Sequence, residues 1–561
     1  MTRVNNYLLH LYFAILSVVF WRKTSLRPTQ ILPGDAADAR YTTSLYEHWH
    51  LFFNGKLGLT QNYFFAPTIN TMSFSDAYLF QGIIHSIFRN FGLTIIASWL
   101  ITTIFTHLIG AYSAILIAKQ FNLNLFASGI LVTFWGFNSV LWVQRGHVQN
   151  LAYPLLGYMV YFLIKFGTSA TPSRKINYLA ISIVCYLVLA MTTTYVFVFV
   201  TLIALIFFLL KLYAERRNLF SKVNLKFKKN TRKYWDISVN LIKSNLLRIL
   251  IWSCLIGSLL FVFLYTYIFS VDKITTRSPA EAAYYSPSFF ELVEVPPSNL
   301  YFGELASKIA SGTIPPIGER YMGYTLIFLV LFAFSIRISY KNFPKNKSLF
   351  LLGASLIVIE LLILKDARGL NIWYFTFGRI PLFEAIRGLS RYHQFAYMMG
   401  GLFIGLVLNN YKFKKRFNWV VNIKQWKYKY TVMAILIGIG SSEAAGYYGS
   451  WNSKEMNPIQ ISKEQLKPCK YFALTPVEES FTARPWYLWL IDAQIVATNF
   501  QIPVISGYSG GTPRDYSIDF TNSESNYKSS LEFAKKKNLK QFCLITNSKN
   551  EINKWKVVSI S

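Results

Sequence analysis

Acidic residues are scarce in this chain. Its 561 residues include 26 Asp and Glu against 57 Lys and Arg, and charged residues of both signs make up only 15% of it. A soluble protein of that length carries roughly a quarter charged residues, so a set of ordinary soluble domains is excluded. Cysteine is rarer still, at four, too few for a disulfide scaffold. Cys185 and Cys254 fall inside apolar runs, where a thiol serves as a small apolar side chain. That leaves Cys469 and Cys543, either as a disulfide or as two buried thiols. There is no zinc-type Cys/His spacing, dinucleotide fingerprint or nucleophile elbow, and Ser506-Gly-Tyr-Ser-Gly510 lacks the lysine that a nucleotide phosphate loop needs. An internal repeat and low-complexity tracts are missing too.

What fills the chain is apolar, 53% hydrophobic and 17% aromatic. A run such as 249–269 can bury all its backbone polar groups only as a helix in lipid. By hydropathy, spans fall near residues 5–21, 92–118, 125–143, 150–166, 176–191, 195–211, 249–270, 321–337, 348–364, 394–410 and 431–449, about eleven in all. The first follows Met-Thr-Arg and precedes Arg22 and Lys23 with no small-residue cleavage site, so it is read as a retained span.

The formal charge of +31 sits in the gaps between these runs, which is the mark of topology and not of nucleic-acid binding. With the N-terminus cytoplasmic, the segments 119–124, 165–175, 211–248, 337–347 and 412–429 are the cytoplasmic, basic ones. The loop 211–248 is the richest, a retention signal that also attracts anionic membrane lipids. Four larger segments then lie outside: 22–91, 271–320, 365–393 and 451–561. Residues 1–450 form the membrane domain. In 451–561 the pattern changes to short strands at 471–474, 503–506 and 542–546 and helices at 486–497 and 525–537, a small extracytoplasmic α/β domain.

The first external loop carries most of the chemistry. Asp35 and Asp38, three apart after Gly34, share the first turn of a helix if one opens there, and Arg40 and Asp76 follow in the same loop. Asp35 then reads either as a helix cap or as a base that deprotonates an acceptor hydroxyl while a phosphate leaves. A leaving phosphate needs cations. Arg387 and Arg391, four apart with His393 adjacent, offer guanidinium forks that match phosphate, or else serve as interfacial anchors. Arg145, His147 and Gln149 form a short external turn, as polar lining or as a solvated hairpin.

Gly34-Asp35-x-x-Asp38 after a first span, Phe65-Ala-Pro67, Ser75-Asp76, and a many-span bundle with an external C-terminal domain together resemble the GT-C superfamily of polytopic glycosyltransferases. Ile386-Arg387-Gly-Leu-Ser-Arg391 and Asp492-Ala-Gln with Ser506-Gly-Tyr-Ser-Gly510 and Pro513 resemble bacterial members. The resemblance implies an inverting glycosyltransferase of the bacterial inner membrane. It would take a sugar from a polyprenyl-phosphate donor to a periplasmic lipid, glycan or protein acceptor. It further implies Asp35 as base, with Asp38 assisting or helping to hold a divalent cation (Mg or Mn). Arg40, Asp76, His147, Arg387, Arg391 and His393 are the expected substrate-binding residues. Many members carry an adjacent acidic pair where this chain has acids three apart, which leaves the metal and the choice between Asp35 and Asp38 open. Two other functions compete: a transporter or flippase of a lipid-linked sugar, which needs no base, and a non-catalytic scaffold of envelope assembly, which needs only the external domain.

Overall fold

The computed structural model describes residues 3–26, 31–216, 244–268, 278–296, 299, 302–310, 321–366, 368–376, 379, 386–410, 425–444, 450–452, 459–548 and 551–560. Most of the basic loop 211–248 and of 412–429 lies outside the described residues, as do parts of 271–320 and 365–393. In chain order the main elements are α1 (Arg3–Leu26), β1 (Ile31–Pro33), α2 (Asp38–Phe53), α3 (Leu79–Asn90), α4 (Ile95–Gln120), α5 (Leu125–Gly136), α6 (Leu156–Thr168), α7 (Pro172–Thr192) and α8 (Thr194–Arg216). There follow α9 (Leu246–Tyr267), α10 (Leu326–Lys341), α11 (Phe343–Ile363), α12 (Tyr392–Asn410), α13 (Gln425–Ala444), β2 (Ser450–Asn452), β3 (Tyr471–Leu474), α14 (Trp486–Phe500), α15 (Ser523–Lys536), β4 (Phe542–Ser548) and β5 (Glu551–Ile560).

Each apolar run read from the sequence is helical over most of its described residues, with 321–325 lying ahead of α10 and 445–449 outside the described residues. Among the described residues eight segments are long and apolar enough to cross a membrane by length and composition: α1, α4, 125–146, 150–168, α7, α8, α9 and the part of α11 from Lys345. The ends of α10, α12 and α13 place these three beside them. At one end of the bundle the Asn124 amide donates to Asn409 Oδ1 (2.8 Å), Trp252 Nε1 to Asn177 Oδ1 (3.1 Å) and Lys347 Nζ to the Ala214 carbonyl (2.7 Å). At the other end the Thr194 amide meets Asp76 (2.8 Å), the Gly323 amide the Glu294 carbonyl (2.9 Å), the Gly388 amide Tyr195 (3.1 Å), and Asn299 Nδ2 the Ser442 carbonyl (2.6 Å). Thus α10 and α12 each run from one end to the other. So does α13, whose 20 residues span about 30 Å at 1.5 Å per residue.

A parity argument agrees. β1, just after the first helix, pairs antiparallel with β2, just after the last, with Leu32 opposite Trp451. An open two-stranded pairing cannot lie in hydrocarbon, so both segments emerge on one side and the number of crossings is odd. With single cysteines introduced on a chain lacking Cys185 and Cys254, an impermeant thiol reagent added to intact cells should label position 536 and spare position 347. Labelling of both would contradict the placement of the two ends on opposite sides, and labelling of 347 alone would reverse the orientation expected from the basic loops.

The bundle has its own core, with Trp135, Phe134, Tyr397 and Phe328 among its members. A second core joins the first loop to the C-terminal domain: Leu45, Trp49, Phe64, Phe65 and Phe74 pack with Phe472, Ile491, Ile495 and Val504. The domain is therefore seated on α2 and is no tethered appendage. Gly82 shows how tightly the loop is built, since a Cβ there would lie 2.0 Å from the Trp49 ring.

In the domain the sheet order is β3-β4-β5, parallel then antiparallel. The stretch 503–506 differs from expectation. It makes only an isolated bridge, Phe472 to Val504, and then turns to the first loop, where Val504 N donates to the Tyr63 carbonyl (2.7 Å) and Phe65 N to the Ser506 carbonyl (3.1 Å). Cys469 and Cys543 form a disulfide across a sequence separation of 74, as suits an oxidising compartment. Closing so long a loop restricts the unfolded chain, so Cys469→Ser with Cys543→Ser should destabilise the domain by about 2–4 kcal/mol in chemical denaturation. No change in the midpoint would show that the bond constrains nothing.

Candidate active site

The chain turns sharply before α2. Gly34 has φ +94°, and a Cβ there would lie 2.6 Å from the Gly146 Cα and 2.8 Å from the Ala39 Cβ, so only glycine fits. This close approach sets the Asp35 loop directly on the turn that carries His147. Asp35 Oδ1 accepts from the amides of Ala37 (2.9 Å) and Ala39 (3.4 Å) at the head of α2. Asp35 therefore does cap the helix, yet solvent reaches it even though protein surrounds it on most sides. Burial, then the charge of Asp38, push its carboxyl above the ordinary value, against the pull of His147 and the two amides.

Asp38 is held from both sides. Its Oδ2 lies 3.1 Å from His147 Nδ1, and its Oδ1 accepts from the Tyr508 hydroxyl at 2.8 Å. Tyr508 comes from the C-terminal domain, in the segment that had failed as a phosphate loop. Its ring stands edge-on to Tyr41, and Tyr41 donates to Ser509 Oγ (3.2 Å), which in turn donates to the Phe74 carbonyl (2.9 Å). Burial and the charges of Asp38 and Asp35 push the Tyr508 phenol up, so it stays a donor to Asp38, and Arg387 is also within electrostatic reach of it. Gly507 beside it packs on the Phe65 ring, with 3.0 Å from a Cβ to the nearest carbon.

Asp76 is buried and accepts from the amide (2.8 Å) and hydroxyl (3.0 Å) of Thr194 at the head of α8. Burial raises it, with the Thr194 amide and Arg391 opposing. Arg391 stacks 4.8 Å from the Tyr195 ring centroid, and Arg387 pairs with Glu281 (2.9 Å) and lies 5.3 Å from the Tyr285 ring. Electrostatics link Tyr508 to Asp38, Asp35 and Arg387, and Asp76 to Arg391.

Two expected substrate residues are placed otherwise. Arg40 is buried and ion-pairs with Asp492, which also pairs with Arg484, so it ties α2 to α14. Its charge is spent on the domain contact because Asp492 is itself fully buried. His393 is buried with Nε2 on Glu360 (2.9 Å) and Nδ1 on the Met322 carbonyl (2.7 Å), a brace between α11 and α12. Tyr508, Tyr41 and Tyr195 were missed by sequence reasoning; the only signal was the Gly-flanked Tyr508 in a segment already noted for its resemblance.

A divalent cation finds a poor donor set here. Asp35 and Asp38 supply only two carboxylates, and no group of three or more His, Cys, Asp or Glu among the described residues is placed to hold a metal.

No protein-family model matches the chain, and no curated protein matches it. Solved structures do. In fold the chain is similar to archaeal oligosaccharyltransferases. With the Archaeoglobus fulgidus enzyme AglB in complex with an inhibitory peptide and a dolichol-phosphate it has 13% identity and a TM-score of 0.49, covering 97% of this chain and 70% of that one. With the oligosaccharyltransferase of the same organism in the apo form the values are 13%, 0.47, 98% and 70%. At such identities and scores the likeness carries no argument about donor, acceptor or mechanism.

Proposed function

We propose that this chain is an inverting membrane glycosyltransferase that moves a sugar from a polyprenyl-phosphate donor to an extracytoplasmic acceptor. The observation that carries the reading is the Asp35–Asp38 pair at the head of α2, clamped by His147 and Tyr508, at the same end of the bundle as Arg387 and Arg391. The donor class follows from the motif resemblance.

In this reading the acceptor oxygen attacks the anomeric carbon and loses its proton to the Asp35 carboxylate. A new bond forms from that carbon to the acceptor oxygen, and the bond to the phosphate oxygen breaks. The electron pair leaves on the phosphate, whose charge Arg391 and Arg387 balance. The raised affinity of Asp35 for a proton suits it to the role of base. Asp38, with both oxygens engaged, positions His147 and Tyr508 around it. No step is routed through a metal.

The reading supports placement in a bacterial inner membrane with this end periplasmic. Mass spectrometry of envelope lipids, glycans and proteins should show one sugar missing when the chain is absent or carries Asp35→Asn, restored by the unaltered chain. Identical sugar content in all three strains would defeat it.

A further inference from the structure

Beyond the Tyr508 clamp, and unused by the reaction just described, aromatic rings continue outward across the C-terminal domain. The Tyr508 ring lies 6.3 Å from that of Tyr487, Tyr487 lies 6.0 Å from Trp486, and Trp486 lies 6.2 Å from Phe520, all centroid to centroid. Trp486 and Tyr487 open α14, whose residues from Trp489 to Thr498 are buried, and Phe520 stands shortly before α15. None of the four rings is sealed off. Trp486 is 51% exposed, and Tyr487, Tyr508 and Phe520 each keep part of their surface open to solvent. A lone exposed ring is ordinary, but four in successive contact that lead to an acidic pair mark the path of a ligand.

Two observations say which ligand. The first is where the row ends. Tyr508 donates to Asp38 Oδ1 (2.8 Å) and its ring stands edge-on to Tyr41 of α2, so the inner end of the row lies on the pair that receives the acceptor hydroxyl. The second is what borders the outer end. Asp519, next to Phe520, is exposed, and its Oδ1 accepts from the Thr521 amide at 2.8 Å. A carboxylate at that edge takes hydrogen-bond donors such as hydroxyls and is unfavourable against acyl chains or a phosphate. A sugar meets both conditions, since a pyranose ring offers a face of C–H groups to an aromatic ring and hydroxyls around its rim.

We propose that Tyr508, Tyr487, Trp486 and Phe520 form the acceptor track of this site, and that the acceptor is a glycan of several sugars. Its terminal hydroxyl reaches Asp35 while the sugars behind it lie along the rings, one after another. This assignment rests on the transfer reaction proposed above and deepens it: the acceptor narrows from a lipid, glycan or protein to a saccharide chain, whatever carries that chain at its far end.

The test is equilibrium binding to the purified full chain in detergent micelles. The probes are disaccharide and hexasaccharide fractions released from the envelope glycan. Wild type should bind the hexasaccharide. Trp486→Ala should weaken it about tenfold while leaving the disaccharide, which reaches only the inner rings, unchanged. Trp486→Phe keeps a ring and should recover most of that loss. In transfer, Trp486→Ala should raise the acceptor KM and leave kcat unaltered. No hexasaccharide binding to wild type, or equal affinity in wild type, Trp486→Ala and Tyr487→Ala, overturns the track. So does an equal loss for both saccharides, which would mark a distortion of the Asp38 clamp. A membrane anchor is read separately in proteoliposomes: the part of the tryptophan emission that Trp486→Phe removes should escape quenching by brominated phospholipid, and quenching would place the row in the bilayer interface and overturn the proposal. Binding needs no turnover, so full transfer by Asp35→Asn would sink the transfer reading and leave saccharide binding along the rings standing.

Discussion

Asp35→Asn should abolish transfer by about a hundred- to ten-thousand-fold in kcat, the usual contribution of a positioned general base, with the protein still inserted and folded. The amide keeps an oxygen able to cap α2, so the bonds from Ala37 and Ala39 survive and stability changes little. What is lost is the proton acceptor. The pH profile supplies a second readout. Asp35 acts only when ionised, so activity falls as pH drops through its raised pKa. Asp38→Asn removes the like charge that raises it and should move the acid limb to lower pH, whereas His147→Ala removes a charge that lowers it and should move the limb to higher pH. An acid limb that stays in place in both variants would show that Asp35 does not set it.

Gly34→Ala should cost nearly as much, about a hundredfold in transfer, although it alters no group that touches substrate. The positive φ is strained for any residue with a Cβ, and the methyl would meet the Gly146 backbone and Ala39. Relief requires the Asp35 loop and the His147 turn to part, by an amount of the same order as the overlap. The loss should fall on kcat with thermal stability only modestly lowered. Unchanged transfer would mean that the contact of the two turns is not what positions Asp35.

Much of this architecture was legible in the sequence because it depends on composition. Apolar runs gave a helix at each expected position, and the scarcity of acid outside a few loops pointed to Asp35, Asp38 and Asp76 before any coordinates. Partners were not legible. Tyr508 meets Asp38 across 470 residues and Arg40 meets Asp492 across 452, and no local periodicity encodes such a pairing. Arg40 is among the substrate residues that the resemblance implies, but its counter-ion lies inside α14, where a buried Asp reads as part of an apolar helix. His393 was judged by its neighbours Arg387 and Arg391 in sequence, but α12 begins at Tyr392 and turns the histidine to Glu360. The pairing of β1 with β2 was invisible for another reason: three-residue strands leave no period to read.

The C-terminal domain follows from the same logic. Its strands at 471–474 and 542–546 were evident as short apolar runs, while 503–506, equally apolar, is drawn away to Tyr63 and Phe65. That diversion brings Tyr508 to Asp38, so the element that departs from the simple sheet is the one that completes the site.

The most direct measurement is made in sealed proteoliposomes holding the full chain, a labelled polyprenyl-phosphate sugar and a pool of envelope acceptors. The account predicts a labelled acceptor and an equal amount of free polyprenyl phosphate with the wild-type chain, and neither with Asp35→Asn. Labelled lipid that crosses the bilayer in both proteins while no product forms would contradict it, and would make this chain a carrier of lipid-linked sugar.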